Sequence, residues 1–309
     1  MSKTFESIAV VGAGAVGCFF GARLAQAGHR VTLIGRERHV QAMRAHGLHV
    51  QWADHVDTVA VEASTALDAV RGADLVLVAV KSPDSAATAR ALAPLLRADA
   101  LVLSLQNGVD NAPTLQAELP QTVVPCAVYV AASMAAPGVV AHHGRGDLVV
   151  GALHGVADAA LSARLQALVE LFGSAAVPVR VSNDVLGELW LKLVVNCAYN
   201  AVSALTQLPY ARIADCAEAV AMQREVVAEV VALARAEGHP IDATQAQSAV
   251  DAIARTMPQQ LSSTAQDLAR GRPTEIDHLN GYVARRGAEL GVATPVNRTL
   301  HALVKLAER

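Results

Sequence analysis

Residues 8–36 restrict the possible folds of this chain more than any other segment. An apolar stretch at Ile8–Val11 runs into a glycine-rich turn, a helical pattern then extends to Gly28, and a second apolar stretch follows at Val31–Ile34. The turn consists of six consecutive residues: Gly12, Ala13, Gly14, Ala15, Val16 and Gly17. The order strand, glycine turn, helix and strand predicts a βαβ unit that binds a dinucleotide, with the phosphates at the helix N-terminus.

The charge at the end of the second strand indicates which dinucleotide is bound. An acidic residue at this position usually pairs with the ribose 2′-hydroxyl of NAD, whereas this chain has Arg36 there and Arg38 close by. A guanidinium suits a 2′-phosphate because it is planar, permanently charged and rich in N–H donors. The sequence therefore favours NADP(H) as the cofactor, although an ordinary solvent-exposed arginine would give the same pattern.

Composition argues against several other classes of protein. The 309 residues suffice for two domains, and 53% hydrophobic with 17% charged residues describes a folded chain rather than a disordered one. No apolar run reaches the roughly 18 residues of a membrane span and no export signal precedes the first strand, so a cytoplasmic protein is expected. A net charge of −3 and few aromatic residues give no reason to expect nucleic-acid binding.

The residue types that bind metals are scattered along the chain. Four distant cysteines without a C-x-x-C pair indicate buried free thiols rather than a zinc site or disulfides: Cys18, Cys126, Cys197 and Cys216. His142 and His143 are adjacent in a predicted strand, where successive side chains point to opposite faces. No metal site is therefore predicted.

The hydrophobic pattern predicts two domains. Up to residue 183, the apolar stretches at 75–80 and 101–105 are typical of buried parallel strands, and further strands are predicted at 48–52, 57–61, 123–129, 139–143, 147–150 and 177–181, with a helix at 159–172. The sequence Gly144-Arg145-Gly146 predicts a turn between two of these strands. Only helical patterns follow, at 185–205, 211–238, 242–256, 258–270, 273–290 and 296–308. We expect an α/β Rossmann-type dinucleotide-binding domain at 1–183 and an all-α domain at 184–309.

Polar residues follow two of the predicted parallel strands. Lys81 comes directly after the strand at 75–80, and Gln106, Asn107 and Gly108 come after the strand at 101–105. Open α/β sheets bind their ligands at the carboxyl ends of their strands. We therefore expect cofactor contacts at both positions.

The helix predicted at 185–205 carries polar residues at a regular spacing. It is apolar on nearly every side, yet Lys192, Asn196 and Asn200 recur every four residues, and Glu188 extends this row by one turn. An ammonium on an apolar helix must be paired or functional, because burying it alone is costly or shifts its pKa. The alternative is an ion pair between Glu188 and Lys192 on a surface face.

A second polar group lies near the end of the chain. It begins with Ser262 and Ser263 and continues at Thr274–Asp277. The spacing of Thr274 and Asp277 fits a capping box, in which Asp277 bonds back to the helix start. Glu275 would then face a cleft, or would act as a first-turn acid that the helix dipole favours. The sequence alone leaves both roles open.

Together these segments resemble the ketopantoate reductases (2-dehydropantoate 2-reductases), and the resemblance covers nearly the whole chain. The matching residues are the three glycines of the turn, Lys81, Gln106-Asn107-Gly108, Glu188-Leu189-Trp190, Lys192, Asn196, Asn200, Ser262-Ser263, Gln266-Asp267, Thr274-Glu275-Ile276-Asp277 and Asn280-Gly281. The Lys-x-x-x-Asn step also occurs in the wider β-hydroxyacid dehydrogenase superfamily, so the region from Ser263 to Asn280 discriminates most.

The resemblance implies an enzyme that reduces 2-dehydropantoate (ketopantoate) to pantoate with NADPH, in pantothenate and coenzyme A synthesis. Lys192 would be the general acid that protonates the carbonyl oxygen, and a partly apolar surrounding would bring its pKa toward working pH. Glu275 would be the second catalytic residue, which helps to order the cofactor and the closed site. The other implied roles are substrate binding for Asn107, Asn196, Asn200 and Ser263, and cofactor binding for residues 12–17, Arg36, Lys81, Asn107 and Glu275. Family members place the cleft between the two domains, where closure excludes water.

Two positions depart from the family's pattern. Tyr210 stands where members that act on ketopantoate commonly carry an asparagine after the catalytic helix, and Gln260 where an asparagine is expected just before the serine pair. A reductase of another branched or aromatic 2-keto acid is therefore the alternative. A non-catalytic NADP(H) sensor is disfavoured because Lys192, its two asparagines and Glu275 are present. The apolar helices could also support a homodimer, since hydrophobicity alone does not separate an interface from a core.

Overall fold

A computed structural model describes residues 5–309, which divide into two compact units between Val185 and Leu186. The strands of the first unit are β1 (Ser7–Val11), β2 (Arg30–Ile34), β3 (Leu48–Gln51), β4 (Val56–Val59), β5 (Glu62–Ser64), β6 (Leu75–Val78), β7 (Leu101–Ser104), β8 (Thr122–Ala136), β9 (Val139–Val150) and β10 (Val179–Val181). Its helices are α1 (Ala15–Gln26), α2 (Glu37–His46), α3 (Ser85–Leu92), α4 (Asn111–Glu118) and α5 (Ala159–Ser174).

The strands of the first unit form one sheet in the order β4-β3-β9-β8-β7-β6-β1-β2-β5, with β10 paired to β9. The central strands run parallel, and β6 and β7 are buried along their whole length, as the apolar pattern predicts. From β1 the chain continues to β2 on one side, whereas β6 lies on the other side. The order therefore reverses between β1 and β6, and such a switch point is where open α/β sheets bind ligands.

The hairpin of β8 and β9 differs from the prediction. The two strands expected at 139–143 and 147–150 are a single strand, and the turn expected at 144–146 is a pair of irregularities in its pairing with β8. Gly144 and Gly146 have φ values of +148° and +152°, with Arg145 at +56° between them. Glycine accommodates such backbone in a bulge as readily as in a turn, so the strand continues through it.

The second unit is helical, and residues 186–309 contain no strand, which confirms the predicted fold class. Its helices are α6 (Val185–Thr206), α7 (Tyr210–Ala214), α8 (Ala217–Ala236), α9 (Ala243–Thr256), α10 (Ser263–Ala269), α11 (Asn280–Leu290) and α12 (Pro295–Ala307), with a 3₁₀ turn at Ile276–His278.

Two of the predicted helices are interrupted. The helix expected at 211–238 breaks at Asp215 and Cys216 into α7 and α8, and Cys216 adopts an extended conformation as the N-cap of α8. The helix expected at 273–290 breaks at Leu279, whose φ and ψ of −113° and −108° are not helical. Helical periodicity runs across both breaks, so the sequence pattern does not reveal them.

The cysteines follow the prediction except at one position. Cys18, Cys126 and Cys197 are buried free thiols, and burial raises the pKa of Cys18 to about 12. Cys216 is exposed at the break between α7 and α8, so the expectation of a buried thiol is wrong there. Within residues 5–309, no helix combines the length and the apolar character needed to cross a membrane.

Candidate active site

The glycine-rich turn connects β1 to α1 through closely packed backbone. The N–H groups of Gly12 and Ala13 both donate to the carbonyl of Ile34, each at 2.9 Å. Gly12 has a φ of +107°, and a Cβ there would lie 2.6 Å from the carbonyl carbon of Ala79. A Cβ at Gly17 would lie 2.2 Å from the Gly12 carbonyl oxygen. Only glycine fits at these two positions.

Gly14 differs from the other two glycines. It is the N-cap of α1, its φ is −90°, and a Cβ there would meet no heavy atom within 4 Å. The space that a side chain would fill lies open at the helix N-terminus, where N–H groups and the helix dipole favour a phosphate. The turn therefore fits the pyrophosphate of a dinucleotide.

The end of β2 lies against this turn. A Cβ at Gly35 would be 2.6 Å from the Ala13 Cβ, which brings the strand end onto the turn. Arg36 follows as the N-cap of α2, and its carbonyl accepts from His39 N at 2.9 Å. The side chains of Arg36 and Arg38 are both exposed. Arg36 is thus an exposed residue two positions beyond β2, and the residue before it packs on the glycine turn.

Lys81 lies on the other side of the turn. The backbone of Ala79 and Val80 passes directly beneath Gly12, and Lys81 is the next residue, half-buried at the start of a 3₁₀ turn. Lys81 and Arg36 therefore flank the glycine turn from the β6 and β2 sides. Both residues therefore offer a positive charge to a phosphate group of a ligand bound at this turn.

A buried polar network holds the loops after β6 and β7 together, and the sequence analysis did not predict it. Gln106 Nε2 donates to the Val80 carbonyl at 3.1 Å and to Ser85 Oγ at 2.6 Å. Ser85 Oγ donates in turn to Asn111 Oδ1 at 2.7 Å. Asn111 Nδ2 donates to Ser82 Oγ and to the carbonyl of Asn107. Buried groups that satisfy one another in this way fix the loops that carry Lys81 and Asn107.

In the second unit, the polar row on α6 is not on a solvent-exposed face. Glu188, Lys192 and Asn196 are half-buried and Asn200 is only 3% exposed. Tyr199 lies seven residues after Lys192 and therefore on the same face of the helix. Its buried ring packs against Tyr210, with ring centroids 4.9 Å apart. Sequence reasoning missed Tyr199, although its spacing from Lys192 is the available signal.

Two buried serine hydroxyls attach the start of α10 to this row. Ser262 Oγ donates to the Asn200 carbonyl at 3.2 Å and accepts from Ala265 N at 3.0 Å, so it caps α10. Ser203 Oγ accepts from Ser262 N at 3.2 Å and donates to the Leu208 carbonyl at 2.9 Å. Ser263 is the exposed first residue of α10, and it directly follows Ser262, whose hydroxyl contacts the Asn200 carbonyl.

The segment around Glu275 corrects the predicted capping box. Thr274 Oγ1 accepts from Ile276 N at 3.2 Å, but Asp277 does not bond back to a helix start. Asp277 Oδ1 lies 2.6 Å from His301 Nε2, and Asp277 Oδ2 accepts from Lys305 Nζ at 2.9 Å. Because α11 starts only at Asn280, Asp277 is not in the first turn of an α-helix. Glu275 is half-buried and precedes the 3₁₀ turn.

The paired histidines of β9 have different contact partners. His142 stacks on Phe19, with ring centroids 4.8 Å apart, whereas His143 Nε2 lies 2.9 Å from Ser133 Oγ. Among residues 5–309, no three histidine, cysteine or acidic side chains are grouped so that they could hold a metal ion.

Two family models match the chain. The model for ketopantoate reductase PanE/ApbA matches residues 8–155, and the model for the C-terminal part of the same family matches residues 184–308. The chain belongs to the ketopantoate reductase family. It is accordingly an oxidoreductase, and the family indicates a nicotinamide dinucleotide as its cofactor.

Relatives and solved structures agree with the family over nearly the full length. A 2-dehydropantoate 2-reductase of Halobacterium salinarum is 35% identical over 306 residues, which cover 98% of this chain and 99% of the relative. A ketopantoate reductase of this family from Ralstonia eutropha has a TM-score of 0.89 at 51% identity, with 98% of each chain covered. D-mandelate dehydrogenase, solved with NADH and anilino(oxo)acetate, has a TM-score of 0.90 at 26% identity and the same coverage.

Proposed function

We propose that this chain reduces 2-dehydropantoate to pantoate with NADPH, a step in pantothenate and coenzyme A synthesis. The observation that carries the proposal is the row of Lys192, Asn196 and Asn200 on α6, with the Ser262 hydroxyl bonded to the Asn200 carbonyl and Ser263 as the next residue. A half-buried ammonium among amide and hydroxyl groups suits a carboxylate-bearing ketone. Relatives of 35% and 31% identity are 2-dehydropantoate 2-reductases, which supports the same substrate.

Lys192 carries the proton transfer in this proposal. When bound, the reduced nicotinamide supplies a hydride to the carbonyl carbon of the keto acid. Lys192 Nζ donates a proton to the carbonyl oxygen, and its positive charge stabilises the negative charge that develops there. Asn196, Asn200 and Ser263 hold the substrate through their amide and hydroxyl groups, so that its carbonyl stays within reach of Lys192.

The first unit supplies the cofactor contacts in this proposal. The turn at residues 12–17 binds the pyrophosphate, because Gly14 leaves open space at the N-terminus of α1. Arg36 and Lys81 bind the 2′-phosphate, which is the basis for proposing NADPH rather than NADH. Asn107 contacts cofactor and substrate, and Glu275 of the second unit helps to order the cofactor.

A second candidate substrate class is supported by the tyrosine pair. Tyr199 and Tyr210 pack their rings together on the face of α6 that carries Lys192, and aromatic rings suit an aromatic substrate side chain. D-mandelate dehydrogenase, which acts on an aromatic 2-hydroxy acid, has a similar fold. The alternative is therefore reduction of an aromatic or branched 2-keto acid by the same residues.

The test is oxidation of NADPH by the purified protein with 2-dehydropantoate, 2-ketoisovalerate and phenylglyoxylate, repeated with NADH. Turnover of 2-dehydropantoate that prefers NADPH supports the proposal, turnover of phenylglyoxylate alone supports the second candidate, and no turnover with any acid contradicts both.

The Lys192→Ala variant tests the mechanism itself. Turnover should fall by about 10²- to 10⁴-fold, because the general acid is lost. Arg224→Ala, which removes an exposed cation from α8, is the matched control and should keep full turnover. Unchanged turnover of the Lys192 variant would rule out its role as general acid.

A further inference from the structure

The residue before Glu275 is attached to the last helix. Thr274 N and Thr274 Oγ1 both donate to Glu308 Oε1, at 2.8 Å and 2.6 Å. Thr274 is 5% exposed and the Glu308 side chain 14% exposed, so solvent competes little for these bonds. Charge-assisted hydrogen bonds of this kind are the strong ones in proteins.

The second residue after Glu275 is attached to the same helix. Asp277 contacts His301 Nε2 at 2.6 Å and Lys305 Nζ at 2.9 Å. Lys305 also reaches Glu308 Oε2 at 2.7 Å and so joins the two attachments. Positions 301 and 305 and the C-cap residue at 308 lie on one face of α12, since they are separated by four and three residues. Glu275 is thus flanked on both sides by contacts to one helical face.

Asn280 attaches the far end of this segment to the helix that carries Lys192. Asn280 Nδ2 donates to the Cys197 carbonyl of α6 at 3.0 Å and to Asn297 Oδ1 at 2.9 Å. Asn280 and Asn297 are 0% exposed, and Asn297 is held by the buried Glu229 carboxylate. The segment 274–280 is therefore fixed at its start and middle to α12 and at its end to α6.

We propose that the 301–308 face of α12 is a positioning device for Glu275, in which Glu308 and Lys305 hold the segment 274–280 so that Glu275 keeps a fixed position toward the ligand. This inference rests on the proposed role of Glu275 in ordering the cofactor. Glu308 and Lys305 are positioning residues, because they act through Thr274 and Asp277 and not through the reacting groups. Fixed placement of a binding carboxylate lowers the entropy lost when the ligand is bound.

A double-mutant cycle tests this device. Glu275→Gln, Glu308→Ala and the double variant are compared for the Kd of NADPH and for kcat/KM with the keto acid that the enzyme turns over. Glu308→Ala should weaken both by roughly 3- to 30-fold, with the same division between KM and kcat as Glu275→Gln. In the Glu275→Gln background, Glu308→Ala should have little further effect, because its route of action is gone.

Lys305→Met is a second variant, and it keeps the bonds between Thr274 and Glu308. Its effects on the Kd of NADPH and on kcat/KM should likewise disappear in the Glu275→Gln background. Glu289→Gln, which breaks an exposed ion pair with Arg286 on α11, is the matched control and should change neither quantity. Additive effects of Glu308→Ala and Glu275→Gln, or effects on thermal stability alone, overturn the positioning role. If Glu275→Gln itself changes neither Kd nor kcat/KM, the proposed role of Glu275 fails, and the positioning device fails with it.

Discussion

The amide nitrogen of Tyr210 donates a hydrogen bond to the carbonyl oxygen of Gln260 at 3.1 Å. These residues are the two positions at which the sequence departs from the family's pattern, and they are neighbours in the structure. A second backbone bond, from Ala211 N to the Pro258 carbonyl at 3.0 Å, runs beside the first. Ser262, two residues after Gln260, contacts Asn200. Both departures therefore belong to one region beside the proposed substrate residues.

Replacing Tyr210 and Gln260 by asparagine should change substrate selectivity. The bond between these residues uses the main chain, so Tyr210→Asn and Gln260→Asn keep it and alter only the side chains. We expect each variant to raise kcat/KM for 2-dehydropantoate relative to phenylglyoxylate. The double variant should deviate from additivity by about 0.5–3 kcal/mol, as residues in one region do. Steady-state kinetics with both acids measures this.

Gln259→Asn, an exposed neighbour, is the control for this pair. Equal selectivity in the unmodified protein, the two single variants and the double variant would show that the side chains of Tyr210 and Gln260 do not contact the substrate. Burial raises the pKa of Tyr210 to about 12, so its hydroxyl stays neutral at working pH and the comparison is free of a charge effect.

Arg36 and Arg38 form a matched pair for cofactor choice. Both are exposed, but only Arg36 stands directly after Gly35, which packs on the glycine turn. Arg36→Ala should weaken NADPH binding by about 10- to 100-fold, because it removes a charge-assisted hydrogen bond that contributes about 1.5–3 kcal/mol. NADH binding should change little, because NADH has no 2′-phosphate. Titration of NADPH and NADH into each variant measures the ratio of their Kd values. An equal loss of NADPH binding in Arg38→Ala would contradict the assignment of the 2′-phosphate contact to Arg36.

The sequence predicts what depends on local pattern. The glycine turn, the parallel strands around it and the row on α6 each follow from residues within one or two turns of helix or strand. Gly28 is an example. The helical pattern predicts that α1 ends at this residue, and Gly28 follows the C-cap of α1 with a φ of +84°.

The sequence does not predict which distant segments meet. Ser262 and Asn200 are 62 residues apart, and Asp277 looked like a capping residue because its partners on α12 lie 24 and 28 residues further on. The glycines at 144–146 signal unusual φ values, but only the partner strand β8 decides between a turn and a bulge. Such pairings depend on tertiary packing, which a single sequence pattern does not encode.

Gly12 and Gly14 should respond differently to the same substitution. Gly12→Ala forces a side chain onto a φ of +107° and into the Ala79 backbone at 2.6 Å, so it should destabilise the first unit by more than 1 kcal/mol, of order 1–3. Gly14→Ala meets no heavy atom and should fold normally. It should nevertheless weaken dinucleotide binding, because the new methyl group occupies the space proposed for the pyrophosphate. Urea unfolding and nucleotide titration of both variants separate these effects.

Acid should destabilise the second unit through Asp277. Burial alone would raise the pKa of Asp277, but hydrogen bonds from His301 and Lys305 hold it below the ordinary value of 3.8. Because the folded pKa is the lower one, the stabilisation is complete above that ordinary value and is lost as pH falls through the folded pKa. Lys305 has a raised pKa, chiefly through hydrogen bonds to Glu308 and Asp277, so its contribution is lost only above about 10.5.

The free energy of unfolding should therefore fall below about pH 4, and Asp277→Asn should flatten this dependence. Urea unfolding followed by circular dichroism between about pH 3 and pH 7 measures the slope. Asp215→Asn, which changes an exposed aspartate after α7, is the control and should retain the slope of the unmodified protein. An unchanged slope in Asp277→Asn would mean that the contacts of Asp277 with α12 do not stabilise the fold in solution.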